Sequence, residues 1–320
     1  MSNTAQPRAW VAAIQIEKRL RAELKKNSFW HRTVRELRTA LHHAYESTIF
    51  ADFQFAQANE VEQQLWKSCF YKPIEEFRSR LRVAQQAAQG VTALAGATPE
   101  EALEQSAMLT TAYTKFLASA EEAYKRLVAR LQWELGDVGA AVEVPSGEMQ
   151  ALQQAAPPSA GKGNTAIATA VHRCLIYLGD ICRYRSQVVR PKEEQERALA
   201  YYQQAASVLP TSGNPYNQMA VVAYYGSDEL RAVYYYFRSL GVSCPFVTAR
   251  ENLLLLFERN RARYAKLPPR PPGPGQGITP GDVATRMVRL AGLMFDRINL
   301  EQLTPTRAAA IAALRQLLGE

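Results

Sequence analysis

Two stretches of this sequence repeat each other and decide the fold: A-L-A-Y-Y-Q-Q-A-A-S-V-L-P at residues 198–210 and A-V-Y-Y-Y-F-R-S-L-G-V-S-C-P at residues 232–245. The second stretch repeats the pattern of the first, 34 residues later. The pattern consists of a small residue, an aromatic residue, a second small residue and a proline-containing end. The repeated positions are Ala198, Tyr202, Ala205 and Pro210, then Ala232, Tyr236, Ser239 and Cys244 with Pro245. Small residues let two helices approach closely, and the aromatic side chain fills the gap between hairpins. The pattern therefore predicts stacked helical hairpins.

A period of 34 residues is that of the tetratricopeptide (TPR) repeat. The remaining sequence is also rich in good helix formers, and hydrophobic residues make up 47% of its 320 residues. The sequence thus predicts an all-α fold of antiparallel helices with TPR-type hairpins. It divides into a helical domain over residues 1–266, with a mobile loop at 143–166, a Pro/Gly linker at 267–281 and the start of a helical-hairpin region at 282–320. The linker is read either as a plain spacer or as a proline-rich ligand.

Three interruptions are expected in the helices before the repeats. Asn27 and the serine after it predict a break between two helices, because their side chains compete for backbone hydrogen bonds. Pro73 predicts a kink or a restart within the helical stretch 61–88. Thr98, followed by Pro and Glu, predicts the start of an antiparallel pair of helices over residues 98–136.

The net charge of +8 is unevenly placed. Lys and Arg exceed Asp and Glu by 14 to 9 in residues 1–90 and by 15 to 8 in residues 161–277, while residues 91–160 have 4 against 9. Two interpretations are open. The basic segments either pack together into a positive patch suited to phosphate, or they are solvated, arginine-rich helix faces.

The four cysteines lack paired or zinc-type spacing, and Cys174 and Cys182 are expected in the core. Buried thiols indicate a reducing compartment. The N-terminus lacks the apolar segment of a signal peptide, and no apolar run approaches the ~20 residues that cross a bilayer. The sequence therefore predicts a location in the cytoplasm and nucleus, away from membranes.

Catalysis is poorly supported by the residue types and their spacing. The four histidines are scattered, and there is no glycine-rich phosphate loop and no set of metal ligands with recognisable spacing. The glutamate pairs at residues 75–76 and 121–122 are expected on solvated helix surfaces. We therefore expect a binding protein that uses no cofactor and no metal, rather than an enzyme.

The string H-R-C-L-I-Y-L-G-D-I-C-R-Y-R, His172–Arg185, places Arg183 one turn after Asp180 and next to Tyr184. An arginine fork beside a phenol suits a phosphoryl group, whose oxygens match paired N–H donors. The alternative is that Arg183 pairs with Asp180 at a spacing of three residues and ties down the helix.

A second string, L-W-K-S-C-F-Y-K-P-I-E-E-F-R at residues 65–78, contains the residues that could complete a cationic pocket. On a straight helix Tyr71 and Arg78 fall on one stripe, which continues to Arg82. Lys72 lies one position away from that stripe. Either Lys72 or Arg78 is expected to face the Arg183 string.

These strings resemble known proteins. The G-D-x-x-R-Y pattern at residues 179–184 is similar to the phosphoserine-binding motif of 14-3-3 proteins. The two strings above are similar to the SMG family of nonsense-mediated mRNA decay factors, which includes the ever-shorter-telomere (EST) proteins. Three further strings are similar to the same family: Y-E-S-T-I-F-A-D-F-Q-F at 45–55, G-N-P-Y-N-Q-M-A at 213–220 and A-V-Y-Y-Y-F-R-S-L at 232–240. The last of these and L-W-K-S-C-F-Y most resemble the endonuclease-bearing member.

The resemblance implies a 14-3-3-like domain built on TPR hairpins that recognises the phosphorylated up-frameshift RNA helicase. It places phosphoserine on Arg183 and Tyr184 and makes Arg78 a second basic ligand. Asn217 matches the residue that holds a bound peptide's backbone. In 14-3-3 proteins three basic residues bind the phosphate. This sequence matches two of them with Arg78 and Arg183 and departs from the pattern at the first.

A straight alignment puts Tyr71 at that first basic position, with Lys72 one residue later. The acidic PIN nuclease domain of the endonuclease-bearing member has no counterpart in this sequence, so a recognition module is expected. Other SMG-family members, RNA and telomerase RNA are further candidate partners. Two alternatives remain open, a nucleic-acid-binding telomerase subunit and a TPR scaffold that binds unmodified peptides.

Overall fold

The computed structural model describes residues 6–91, 98–135, 164–269 and 277–319, and nearly all of its regular structure in these ranges is helical. The helices are α1 (Arg8–Glu23), α2 (Arg32–Ala51), α3 (Phe53–Ala58), α4 (Val61–Leu65), α5 (Lys72–Ala88), α6 (Pro99–Leu135), α7 (Asn164–Arg185), α8 (Pro191–Val208), α9 (Asn214–Tyr225), α10 (Glu229–Leu240), α11 (Ala249–Tyr264), α12 (Pro280–Asp296) and α13 (Leu303–Leu318). A 3₁₀ turn, Leu300–Gln302, precedes α13. The all-α prediction is confirmed.

The chain divides into two compact units, and the division falls between Arg197 and Ala198 in the sequence of α8. In the first unit α1 packs along α2, α5 along α6, and α6 along α7. The break between α1 and α2 lies around Asn27, as predicted. Cys174 and Cys182 of α7 are buried, also as predicted. None of the described helices is both long and apolar enough to cross a membrane.

A π-helical segment, Trp66–Tyr71, joins α4 to α5. Pro73 has no N–H, and a helical proline crowds the carbonyl four residues earlier, here that of Cys69. The backbone N–H of Lys72 bonds to the carbonyl of Lys67, five residues back. The structure thus widens one turn at this point, and α5 begins at Lys72 with Pro73 in its first turn, in agreement with the predicted kink or restart.

Helix α6 is a single helix of 37 residues, Pro99–Leu135. The Oγ1 atom of Thr98 accepts a hydrogen bond from the N–H of Glu101, and the Glu101 carboxylate accepts one from the N–H of Thr98. This capping box and Pro99 start the helix where the sequence predicted. The prediction of two antiparallel helices over 98–136 is wrong, because no glycine or proline interrupts the helical pattern between residues 100 and 135.

The second unit contains the predicted TPR-type hairpin, formed by α9 and α10. The repeated positions Ala232, Tyr236 and Ser239 are buried. Ser239 donates a 2.7 Å hydrogen bond to the carbonyl of Gly213, and the Gly213 N–H donates to the carbonyl of Cys244 at 2.8 Å. A Cβ atom at Gly213 would lie 2.4 Å from the Ser239 carbonyl oxygen. The turn before α9 therefore requires glycine, because the backbone of the next repeat passes against it.

Helix α12 packs on α10 and α11 within the second unit. Val288 is fully buried in the same cluster as Leu253 and Phe257, and Gly292 lies against the Phe257 ring. The compact units therefore divide at α8, whereas the sequence pattern placed its boundary at residues 267–281. Residues 270–276 of that segment and residues 143–163 of the predicted loop lie outside the described ranges.

Candidate functional site

The last two turns of α7 present an acidic, a basic and a phenolic side chain next to one another. The Nη2 atom of Arg183 donates to Oδ1 of Asp180 at 2.8 Å. The guanidinium carbon of Arg183 also lies 4.5 Å from the ring centroid of Tyr184, within the range of a cation–π contact. The ion pair considered from the sequence is therefore present, and it coexists with the arrangement that suits a phosphate.

Helix α5 brings a second arginine to the same phenol. The buried stripe of α5 includes Ile74, Phe77 and Leu81, and Arg78 stands at its edge. Its guanidinium carbon lies 5.0 Å from the Tyr184 ring centroid, and its Nη1 donates to Glu75 at 2.6 Å. Two arginines from separate helices therefore meet at one aromatic ring.

Tyr184 is the centre of this group and is only 6% exposed. Burial raises the pKa of the Tyr184 phenol to about 12, and the carboxylate of Asp180 adds to the shift. Arg183 and Arg78 oppose that shift without cancelling it. The phenol therefore keeps its proton at neutral pH and can donate a hydrogen bond.

We call Arg78, Arg183 and Tyr184 the arginine–tyrosine cluster. Each arginine is balanced by a carboxylate on its own helix, Glu75 or Asp180. A guanidinium has five N–H donors in a planar fork, so a phosphate can take bidentate bonds from it in place of a carboxylate. The cluster can hold an oxyanion with two cations and one phenolic donor. No group of three or more metal-binding side chains occurs among the described residues.

A cleft of about 280 Å³ lies beside the cluster. Its lining residues come from α5, α6 and the segment after α7: Glu75, Arg78, Ser79, Leu81, Arg82, Gln85, Tyr113, Gln187 and Val188. Arg78 belongs to both the cleft and the cluster, whereas Arg183 and Tyr184 are not lining residues. The cleft therefore extends the cluster on the side of Arg78, toward Arg82.

The two candidates for the first basic position are placed differently. Tyr71 precedes Arg78 by seven residues, nearly two helical turns, and its ring lies 6.4 Å from that of Trp66, which stacks on Tyr177 of α7 at 4.5 Å. Tyr71 thus lies beside Trp66, which in turn contacts α7. Lys72 is exposed, and within the described part of the chain it forms no ion pair or hydrogen bond with the cluster residues.

The charge of Lys72 acts instead on the side of α1. Burial alone would raise the pKa of Glu17, yet its hydrogen-bond partners and, more weakly, the charge of Lys72 lower it. Of the basic residues singled out from the sequence, Arg78 and Arg183 meet at Tyr184, and Lys72 stands apart.

Asn217 belongs to the second unit, on α9. It is 4% exposed, and its Oδ1 accepts a hydrogen bond from Nδ2 of Asn252 at 3.2 Å. Asn252 lines a cleft of about 190 Å³ together with Tyr224, Tyr225 and Arg259. Asn217 therefore supports the wall of a cleft within that unit.

A buried ion network holds the end of α7 that carries the cluster. Arg185 and Glu121 of α6 form an ion pair with side chains 8% and 7% exposed, and Arg185 also pairs with Glu194 at 3.0 Å. Glu121 further pairs with Arg197 and Lys125. Glu121 was predicted on a solvated surface, and this prediction is wrong: the face of α6 that it occupies packs on α7, where Arg185 neutralises it.

Sequence reasoning missed two residues of the site, Glu75 as the partner of Arg78 and Tyr113 on the cleft wall. Glu75 at a spacing of three residues from Arg78 is a signal that could have been used. No local motif marks Tyr113, because its place depends on how α6 packs against α5.

Comparisons with known proteins agree with this fold. A family model described as "Telomerase activating protein Est1" matches residues 60–189, and one described as "Est1 DNA/RNA binding domain" matches residues 198–302. The nonsense-mediated mRNA decay factor SMG7 of Arabidopsis thaliana is 32% identical over 318 residues, covering 87% of this chain and 29% of the relative. The telomerase-binding protein EST1A of Danio rerio is 32% identical over 228 residues, covering 71% of this chain and 13% of the relative.

The solved structure of the C. elegans SMG5–SMG7 complex matches with a TM-score of 0.52 at 16% identity, over 89% of this chain and 60% of that chain. At this identity the match speaks for the fold alone, and it agrees with a 14-3-3-like helical domain. This chain spans less than a third of the length of the two relatives named above. Both matched family models describe Est1 proteins, and the relatives are SMG and EST1 proteins; the chain belongs to the SMG/EST family.

Proposed function

We propose that this chain is a non-catalytic adaptor of nonsense-mediated mRNA decay that binds the phosphorylated up-frameshift RNA helicase through the arginine–tyrosine cluster. The names of its relatives support an adaptor of mRNA decay or of telomere maintenance. Phosphate binding is supported by one observation: Arg78 and Arg183 both contact the Tyr184 ring. Because a relative was solved as an SMG5–SMG7 complex, another SMG-family member is a further candidate partner. We propose action in the cytoplasm and nucleus.

The energetics favour exchange of the Glu75 carboxylate for phosphate at Arg78. The Arg78–Glu75 pair is partly exposed, with side chains 37% and 43% accessible, and such pairs contribute about 0–1 kcal/mol. A hydrogen bond to a charged group in a partly closed site contributes about 1.5–3 kcal/mol. Phosphate carries nearly two negative charges at neutral pH and can bond to both arginines at once, so it competes well for the cluster.

The test is a titration of a phosphoserine peptide of the helicase and of the same peptide with serine. We expect the wild-type protein to prefer the phosphorylated form and Arg183→Glu to weaken its binding by roughly 100-fold, because the change removes a cation and adds a charge that repels phosphate. Equal affinity of the wild-type protein for both peptides would refute phosphate recognition.

Arg80→Glu is the matched control. Arg80 lies on α5 like Arg78 and pairs with Glu76 at 2.5 Å, but it does not line the cleft and does not contact Tyr184. The charge change equals that of Arg183→Glu, so a general loss of positive charge would affect both variants. We expect Arg80→Glu to bind the phosphopeptide within about 2-fold of wild type, since exposed charges are screened by salt.

A second candidate function, nucleic-acid binding, is favoured by the family model that matches residues 198–302. The second unit carries exposed arginine–tyrosine pairs suited to backbone phosphates and stacked bases. The Arg238 guanidinium lies 4.7 Å from the Tyr216 ring and donates to both Tyr216 and Tyr234.

The test of nucleic-acid binding is the salt dependence of the affinity for a single-stranded oligonucleotide. We expect a steep decrease with salt and a shallower slope for Arg238→Ala, which removes one phosphate contact. A slope close to zero for the wild-type protein would exclude this function for the second unit.

A further inference from the structure

The packing around Tyr113 of α6 uses its ring but not its hydroxyl. Its ring stacks on Phe77 with centroids 5.0 Å apart and planes at 23°. The residue is 1% exposed, and its hydroxyl has no hydrogen-bond partner within the described part of the chain. A buried hydroxyl without a partner opposes folding, because it loses its bonds to water and gains none. For packing alone, phenylalanine would serve better at this position.

The surroundings of the hydroxyl point to a ligand. Tyr113 lines the cleft together with Arg78 and Arg82. Burial raises the pKa of the Tyr113 phenol, and among charged groups Arg78 acts on it most strongly, with Arg183 also contributing. The hydroxyl therefore stays protonated, and the charges of both arginines of the arginine–tyrosine cluster act on it. Its orientation is fixed, since the Phe77 ring holds the Tyr113 ring by stacking.

We propose that the Tyr113 hydroxyl donates a hydrogen bond to a phosphate oxygen of the ligand held by Arg78 and Arg183. This inference rests on the proposed function and adds to it a place for the phosphoryl group, at the Arg78 end of the cleft between α5 and α6. The hydroxyl is closed to solvent, so this bond requires the side chains that cover it to move when the ligand binds. A phosphate then receives donors from three helices, α5, α6 and α7.

The chain offers a matched control on the same helix. Tyr124 of α6 is also 1% exposed, and its hydroxyl likewise has no partner within the described part of the chain. Its ring packs among Trp66, Phe70 and Tyr177, and Tyr124 is not a lining residue of the cleft. Tyr113→Phe and Tyr124→Phe therefore remove equivalent buried hydroxyls, one at the cleft and one remote from it.

The experiment measures the affinity of the full chain for the phosphoserine peptide of the helicase and the melting temperature of each variant. We expect Tyr113→Phe to weaken phosphopeptide binding by about 10-fold, as for the loss of one hydrogen bond to a charged group. The melting temperature should stay equal or rise, because an unpaired hydroxyl has been removed. Tyr124→Phe should keep wild-type affinity, and its melting temperature should likewise stay equal or rise.

Wild-type affinity in Tyr113→Phe would overturn the inference, and so would an equal loss in Tyr113→Phe and Tyr124→Phe. Two further outcomes distinguish failure of this inference from failure of the proposed function. If Arg183→Glu loses the phosphopeptide while Tyr113→Phe keeps it, only the role of Tyr113 is wrong. If the wild-type protein does not distinguish the phosphorylated peptide from the unmodified one, both proposals are wrong.

Discussion

The guanidinium carbon of Arg78 lies 5.0 Å from the ring centroid of Tyr184, and this contact joins α5 to α7. Arg183 lies over the same ring at 4.5 Å. The ring thus sets the spacing of two cations that would otherwise repel each other, since its electron-rich face attracts both. The first prediction concerns this phenol.

We predict that Tyr184→Leu weakens phosphopeptide binding more than Tyr184→Phe does. Phenylalanine keeps the ring that orients Arg78 and Arg183 and loses only the hydroxyl, at an expected cost of about 1.5–3 kcal/mol for a hydrogen bond to a charged phosphate. Leucine removes the ring as well, which adds about 0.5–1 kcal/mol for each lost cation–π contact. Isothermal titration calorimetry with the phosphoserine peptide measures both, and equal affinities of the two variants would contradict an orienting role of the ring.

The second prediction concerns the ion network at the end of α7. We expect Glu121→Ala to lower the free energy of unfolding by about 1–3 kcal/mol, because it removes one of the two carboxylates of the buried Arg185 while Glu194 remains. Urea unfolding measures this change. The adjacent Glu122 pairs with Arg126 at 3.6 Å with side chains 41% and 47% exposed, so Glu122→Ala should change stability by less than about 0.5 kcal/mol. Similar losses in both variants would show that the network does not stabilise the fold.

The third prediction is the pH dependence of the same network. Burial alone would raise the pKa of Glu121, but the hydrogen bond and charge of Arg185, with Arg197 and Lys125, lower it below its ordinary value of 4.5. A lowered folded-state pKa means that the unfolded chain binds the proton more readily. The stabilisation is therefore complete above about pH 4.5 and is lost as the pH falls through the folded-state pKa.

Urea unfolding between pH 7 and pH 3 checks this sign. The difference in unfolding free energy between wild type and Glu121→Gln should be constant above about pH 5 and shrink below pH 4.5. A difference that stays constant down to pH 3 would contradict the lowered pKa.

The fourth prediction concerns the turn before α9. In Gly213→Ala the new Cβ would meet the Ser239 carbonyl oxygen at 2.4 Å and the Phe246 nitrogen at 2.6 Å, both of them backbone atoms that cannot easily move. We expect a loss of at least about 1–3 kcal/mol in the unfolding free energy. Gly277→Ala is the control, because a Cβ there has no atom within 4 Å. Differential scanning calorimetry should show a lower melting temperature for the first variant, and an unchanged one would mean that the turn relaxes.

Much of the fold could be predicted from local pattern. The stacked helical hairpins of the second unit follow from the 34-residue repeat, because small and aromatic residues at fixed offsets specify how hairpins pack. The interruption at Pro73 could be predicted as a kink or a restart, but not that a widened π-helical turn would precede it, since the proline specifies only that the regular hydrogen-bond pattern is broken. The single helix α6 was predicted as two, because its long apolar face gives no sign of whether the chain folds back.

The site divides in the same way. The sequence by itself determined the helices, the repeat and the candidates Arg78, Arg183 and Tyr184, since these depend on helical period and on short motifs. Only the tertiary structure decided that Arg78 rather than Lys72 joins Tyr184, that Glu121 is a buried counterion, and that an unpaired phenol lies at the cleft. Helical period fixes the face on which a side chain lies, but the partner of that face is set by packing between helices distant in the sequence, because burial and charge pairing depend on neighbours that local spacing does not specify.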